Sequence, residues 1–129
     1  MKKETRKQRE TIIFNLYQHE IYLAINKTYE SLIEDDETYK IFEDILSHLS
    51  DLDDVIESQL FNYSLNRLSY VDRAIIRFAT YELMYTKTPV EIILNEAVEI
   101  TKEFTTLDDE KQRKFSNKLL DNIAHAIRD

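Results

Sequence analysis

Leu68 to Tyr85 reads LSYVDRAIIRFATYELMY, and this stretch decides the fold. Apolar side chains stand at Val71, Ala74, Ile75, Ile76, Phe78, Ala79, Tyr81, Leu83, Met84 and Tyr85. A helix that apolar around most of its circumference belongs in a core, not on a surface. At about 1.5 Å per residue it is roughly 25 Å long, enough to cross a small domain. Ser69 stands at the N-cap, and Asp72 three residues on makes a capping-box variant that sets the start. Arg73, Arg77 and Thr80 fall at i, i+4 and i+7 on one narrow stripe. That spacing predicts that they lie at a subdomain seam or at the surface, with other segments wrapping the rest of the helix.

The flanks supply those segments. Downstream, Thr88-Pro89-Val90-Glu91 predicts a helix start, with Thr88 as cap, Pro89 in the first helical position and Glu91 closing the box. This helix turns Val90, Ile93, Leu94, Ala97, Ile100 and Phe104 inward. Thr105 to Asp108 reads as a loop, and Asp109 with Gln112 repeats the cap for a last helix through Phe115, Leu119, Ile123 and Ile127. Upstream, Asn62 to Leu68 reads as a turn. Ser50 with Asp53 predicts the start of a helix that faces Leu52, Val55, Ile56, Leu60 and Tyr63 to the core. Thr38 to Leu49 carries Ile41, Phe42, Ile45, Leu46 and Leu49 at helical spacing. The acid run Glu34-Asp35-Asp36-Glu37 reads as a solvated loop, because an EF-hand needs alternating acids and a central Gly. Tyr29, Leu32 and Ile33 make a short segment before it. The first helix runs from about Glu4 to Ile25, with Ile12, Leu16 and Leu23 on one strip and Ile13, Tyr17, Ile21 and Ala24 on its flank. The expectation is an all-α bundle of about six or seven helices.

Composition agrees. The 129 residues make one domain, 43% apolar and 33% charged, as in a soluble globular protein. With no Gly and one Pro, the chain has no Gly-rich phosphate loop and no nucleophile elbow, and it disfavours tight hairpins. With no Cys it has no disulfides, zinc fingers or thiol chemistry, which fits a reducing cytoplasm. No apolar run approaches the roughly 20 residues of a membrane span, and no apolar signal core follows the basic N-terminus. The expected location is the cytoplasm, with no membrane partner. His19, His48 and His125 share no metal-ligand spacing. No metal, cofactor or catalytic constellation is marked, so the expectation is a non-enzyme.

Charge is unevenly placed. The chain carries −8, yet residues 1–9 carry +4, which leaves −12 on the other 120. Lys2, Lys3, Arg6, Lys7 and Arg9 sit at a helix start, where the macrodipole prefers acids. A basic arm on an acidic body points to a polyanion at the arm and a basic partner for the body. The plainer reading of the arm is a solvated terminus that aids solubility.

VDRAIIRFATYEL, TPVEIILNEAVEITKEF and KFSNKLLDNI, in that order, resemble the C-terminal half of the NusB family of bacterial transcription antitermination factors. TRKQRETIIFNLYQHEI resembles that family's opening basic helix. The resemblance spans nearly the whole chain. It implies two small helical bundles packed across each other, here roughly residues 1–66 and 67–129 of a single RNA-binding domain. It implies a factor without catalytic activity that binds the single-stranded boxA segment of nascent RNA together with NusE, a small-subunit ribosomal protein. Such a complex joins the elongating RNA polymerase and suppresses termination, mainly on ribosomal RNA operons.

Residue by residue, Arg6, Lys7 and Arg9 match the family's arginine-rich helix, with Lys2 and Lys3 extending the arm and Leu16-Tyr17 matching its Leu-Tyr pair. Lys114 and Phe115 match a Lys-Phe whose aromatic contacts a base, and Asp109 falls near the acid of the preceding loop. Tyr17, Ile21 and Asp72 match contacts to NusE. Periodicity alone favours Phe115 as a core side chain, and Asp72 has a second role as a cap residue. The chain departs from the family at Phe14, where Gln is usual, and at Lys118, where Gly is usual. It also has Phe104-Thr105 for Phe-Gly and a longer loop before Lys114, which bears on the RNA contacts there and not on the fold. Two other readings compete: a module related to the N-terminal domain of ribosomal RNA cytosine methyltransferases, and a helical adaptor that binds protein only. Replacing Arg6, Lys7 and Arg9 with Ala is expected to weaken RNA binding strongly and to leave the melting temperature nearly unchanged, because charges at a solvated terminus hold little stability.

Overall fold

Asp72 to Leu83, twelve consecutive residues, are buried in the computed structural model, which describes residues 5–104 and 110–129. In chain order the elements are α1 (Arg6–Ala24), α2 (Asp36–Ser47), α3 (Leu49–Ser58), a 3-10 turn (Leu65–Arg67), α4 (Tyr70–Tyr85), α5 (Val90–Phe104) and α6 (Glu110–Arg128). The fold is all-α, with six α-helices and no strand among the described residues. The central stretch is α4, and α1, α3, α5 and α6 all pack on it. The second helix lies against α1 and α3, and α5 lies against α6. Ile12, Ile45, Leu52, Ile56, Ile76, Leu83, Ile93, Ile100 and Ile123 form the innermost core.

The starts of the helices follow local chemistry. Ser69 Oγ accepts from the Asp72 amide at 3.1 Å, as the capping pattern predicts. At α1, Thr5 caps by accepting from the Gln8 amide at 3.0 Å. At α5 the Pro89 carbonyl accepts from the amides of Ile92 and Ile93, so the helix begins one residue later than expected, at Val90. Two expectations are corrected here. The acid run is not wholly loop: Asp35 caps α2 by accepting from the Thr38 amide at 2.9 Å, and Asp36 and Glu37 form the first turn. Acids favour a helix N-terminus for the same dipole reason that bases oppose it. Ser50 does not cap α3, which starts directly after α2. The His48 carbonyl accepts from the Leu52 amide at 2.9 Å, and Ser50 is already helical.

Residues 27–35 are not helical. They are strapped to α1 by Asn15, whose Oδ1 accepts from the Tyr29 hydroxyl at 2.6 Å and the Ser31 hydroxyl at 2.8 Å. Asn26 and Asn62 hold positive φ, the conformation Gly would otherwise supply in a chain that has none. The polar stripe of α4 lies at a seam and is buried rather than exposed. Arg77 forks onto Asp53 of α3 at 2.8 Å and reaches Glu20 of α1 at 2.9 Å. Arg73 donates to the Leu68 carbonyl at 3.0 Å, and Thr80 Oγ1 donates to the Ile76 carbonyl.

Candidate nucleic-acid and partner interfaces

The basic start of α1 divides into residues that differ in kind. Lys2 and Lys3 lie outside the described residues. Lys7 is exposed. Arg6 is half exposed, donates from Nε to Glu96 Oε1 at 2.8 Å and from its second arm to Glu96 Oε2, and approaches Glu103 at 3.6 Å. Arg9 is 3% exposed and forks onto Glu82 of α4, with both arms at 2.9 Å. It also lies 3.5 Å from Glu96. This corrects the solvated arm: Arg9 is part of a buried ion pair, and its removal strands the charge of Glu82. The pairs also explain why a helix tolerates bases at its N-terminus, since acids from α4 and α5 face them. Arg6 holds the Glu96 carboxyl below the usual carboxylate range. A hydrogen bond with Glu103 holds the Glu10 carboxyl above it.

A second surface runs along the same helix. Phe14, Tyr17, Ile21 and Ile25 fall at i, i+3, i+7 and i+11 on one side of α1 and just beyond it. Phe14 is 51% and Ile25 is 56% exposed, with Tyr17 and Ile21 half-buried between them. The rings of Phe14 and Tyr17 lie 6.4 Å apart. The four side chains form a partly exposed apolar stripe on the outer side of α1. Phe14 and Ile25 extend the pair expected from the sequence, and their helical spacing was the signal available for them. Asp72 is not an exposed acid. It is 6% exposed, and its Oδ2 accepts from Gln112 Nε2 of α6 at 3.2 Å.

On α6, Lys114 is exposed and Phe115 is half-buried against the core. The Phe115 ring lies 4.8 Å from the ring of Tyr63, over which Arg67 places its guanidinium at 5.1 Å. Tyr63 was expected on the core side of a helix that ends earlier, at Ser58, and its pairing with Phe115 and Arg67 was not anticipated, because nothing local links the turn before α4 to α6. Lys114 and Lys118 line a groove floored by Leu94, Val98 and Leu120 between α5 and α6. Asp109 and the loop expected at Thr105 to Asp108 lie outside the described residues. Among the described residues no group of His, Cys, Asp and Glu could hold a metal ion, and no helix is long and apolar enough to cross a membrane.

Comparison with known proteins joins these observations. Residues 5–125 match the model of the NusB family. The transcription antitermination protein NusB of Bacillus subtilis is 37% identical, with 98% of each chain covered. The NusB structure from T. maritima superposes with a TM-score of 0.78 at 36% identity, covering 97% of this chain and 93% of that one. A crystal structure of the antitermination factors NusB and NusE in complex with dsRNA shares the fold, with a TM-score of 0.69 at 24% identity and coverage of 98% and 99%. By the match over nearly all of its length, and by the helical architecture that goes with it, the chain belongs to the NusB family.

Proposed function

We propose that this protein is a transcription antitermination factor that binds boxA-type single-stranded RNA together with NusE and acts on the RNA polymerase elongation complex at ribosomal RNA operons. The observation that carries the reading is the double character of α1. Its start carries Arg6, Lys7 and Arg9 on a body of net negative charge, with Lys7 and part of Arg6 open to water, and its flank presents an apolar stripe, so one helix offers a cationic surface and an apolar one. The family's named relatives are antitermination proteins, and a protein of the same fold has been crystallised with NusE and dsRNA. Lys2, Lys3, Arg6 and Lys7 are the phosphate contacts in this reading, and Arg9 anchors the helix that carries them. Lys114 and Phe115 add a cation and a base-stacking face beside Tyr63. Tyr17 and Ile21 meet NusE, and Asp72 acts at that interface from its place at the start of α4. The protein works by binding, without a catalytic step, in the cytoplasm.

Titration of a boxA-type strand at several salt concentrations tests the RNA half. Replacing Lys2, Lys3 and Lys7 with Ala lowers affinity and reduces the slope of log K against log salt by roughly two, at about 0.7 per lost phosphate contact on a single strand. The melting temperature stays close to wild type, because these charges are exposed or terminal. An unaltered slope moves the RNA site away from the arm.

A further inference from the structure

Arg6 is engaged by carboxylates of its own chain. Its guanidinium lies in forked geometry on Glu96 and stands 3.6 Å from Glu103. Two carboxylate oxygens offer a guanidinium nearly what two phosphate oxygens offer it. Among the described residues, Glu10 of α1, Glu82 of α4, and Glu96, Glu99 and Glu103 of α5 surround Arg6 and Arg9, with Lys102 beside Glu99. The two arginines differ in access. Arg9 and Glu82 are sealed, whereas the side chains of Arg6 and Glu103 are 39% and 48% exposed. A strand arriving from solution therefore reaches Arg6 and its acids, and leaves the inner pair in place.

We propose that Glu96 and Glu103 occupy the phosphate position on Arg6 in the RNA-free protein, so that RNA engages this helix start by exchanging a phosphate for the two carboxylates. The glutamates thereby set the affinity of the arm. This rests on the RNA reading above. The exchange keeps Arg6 ordered on its helix before the strand arrives, which spares the entropy of fixing a long side chain. It also weakens the binding of isolated anions: a single anion gains one contact and must still displace Glu96. A strand brings further phosphates for Lys7 and the residues before it.

The test is RNA titration of six folded proteins at low salt: wild type, Glu103→Gln, Glu96→Gln with Glu103→Gln, Arg6→Ala, Arg6→Ala with Glu103→Gln, and Arg6→Ala combined with both glutamine changes. Glu91→Gln, at the opposite end of α5, controls for the general effect of removing a negative charge. Glu103→Gln is expected to tighten binding about threefold and the double variant about tenfold, the scale of losing a competing charge-assisted bond. Both gains should disappear once Arg6 is Ala, and Glu91→Gln should leave affinity within about twofold of wild type. Arg9 also leans on Glu96, so melting curves accompany the titrations. If the double variant fails to fold, the exposed Glu103 variant and its Arg6→Ala partner decide the matter. Equal or weaker binding by the glutamine variants, with Arg6→Ala weaker than wild type, overturns the exchange and leaves Arg6 as an RNA contact. A gain that persists without Arg6 also overturns it. If wild type binds no RNA, or if neither Arg6→Ala nor the glutamine variants change affinity, the RNA reading at this helix start falls and the exchange falls with it.

Discussion

Arg9 and Lys7 stand two residues apart on α1 and have opposite fates. Lys7 is exposed, while Arg9 is buried on Glu82. Sequence could not separate them, because the partner of Arg9 lies 73 residues away. The difference predicts stability directly. Arg9→Ala leaves a carboxylate buried without its partner and is expected to cost about 3–5 kcal/mol in denaturant unfolding. Lys7→Ala is expected to cost less than about 0.5 kcal/mol. Replacing Arg9 and Glu82 together by Met and Leu should recover most of the loss, because an apolar pair needs no desolvation of charge. Equal effects of Arg9→Ala and Lys7→Ala would mean that the buried pair contributes nothing. The histidines differ in a comparable way. Burial lowers His19 below its ordinary 6.5, with Arg77 adding to the fall and Glu20 opposing it. A hydrogen bond with Asp129 raises His125 above 6.5, helped by the charges of Asp129 and Asp121. His19 then contributes stability that is complete above pH 6.5 and is lost as pH falls through its folded pKa. His125 contributes stability that is complete below pH 6.5 and is lost as pH rises through its folded pKa. Proton NMR titration of the imidazole signals should place His19 below and His125 above the ordinary value, and Asp129→Asn should bring His125 back toward it.

At the scale of the element, α4 was legible because its own residues carry every signal: a Ser cap, an apolar surface on nearly all sides, and a length that spans the domain. Its C-terminus was not legible. Four carbonyls there, those of Glu82, Leu83, Thr86 and Thr88, accept from the guanidinium of Arg128 at 2.8 to 3.0 Å. These include the last turn of α4 and the link to α5, so the final residues of α6 close the end of the central helix. A cation at that end also answers the helix dipole. Nothing in the sequence near Thr86 announces the contact, since the donor arrives from 40 or more residues away. Arg128→Ala is expected to destabilise the protein by roughly 2–3 kcal/mol, the scale of losing charge-assisted bonds to partly buried carbonyls. Arg128→Lys should recover less than half, because a single ammonium cannot span four acceptors. Amide exchange at Thr86, whose N–H donates to the Glu82 carbonyl, should quicken in both variants. The start of α2 shows the complementary difficulty. Asp serves equally as a solvated loop residue and as a cap, so Asp35 could be assigned only once its amide partner was in view.

For the whole molecule, the proposed function requires one short chain to serve two partners without mixing them. The arm and the apolar stripe share α1 but differ in chemistry: the start of the helix is cationic, and Phe14, Tyr17, Ile21 and Ile25 are apolar or aromatic. Sequence supplied the spacing of the stripe. The flank expected to be exposed, that of Tyr17 and Ile21, is half-buried between exposed Phe14 and Ile25, because its openness depends on how α4 and α2 cover the rest of the helix. The arrangement predicts separable defects. Truncating Tyr17 and Ile21 together to Ala removes the centre of the stripe, where a docked protein would bury most area. Each such loss at the centre of an interface costs about 1–2 kcal/mol, so affinity for NusE is expected to fall roughly thirtyfold to several hundredfold. Both side chains are half-buried, so each truncation also costs stability, about 1 kcal/mol apiece, and the comparison must be made well below the melting transition. RNA affinity measured without NusE should stay within about twofold of wild type, because the proposed phosphate contacts lie toward the start of the helix and bind through charge. The Lys2, Lys3 and Lys7 variant should show the reverse: weakened RNA binding with NusE affinity retained. Binding of NusE by calorimetry and of a boxA-type strand by fluorescence anisotropy, on both variants, gives the four measurements. If truncating the stripe weakens RNA and NusE alike in a folded protein, the two surfaces are one, and α1 is a shared edge where RNA and NusE meet.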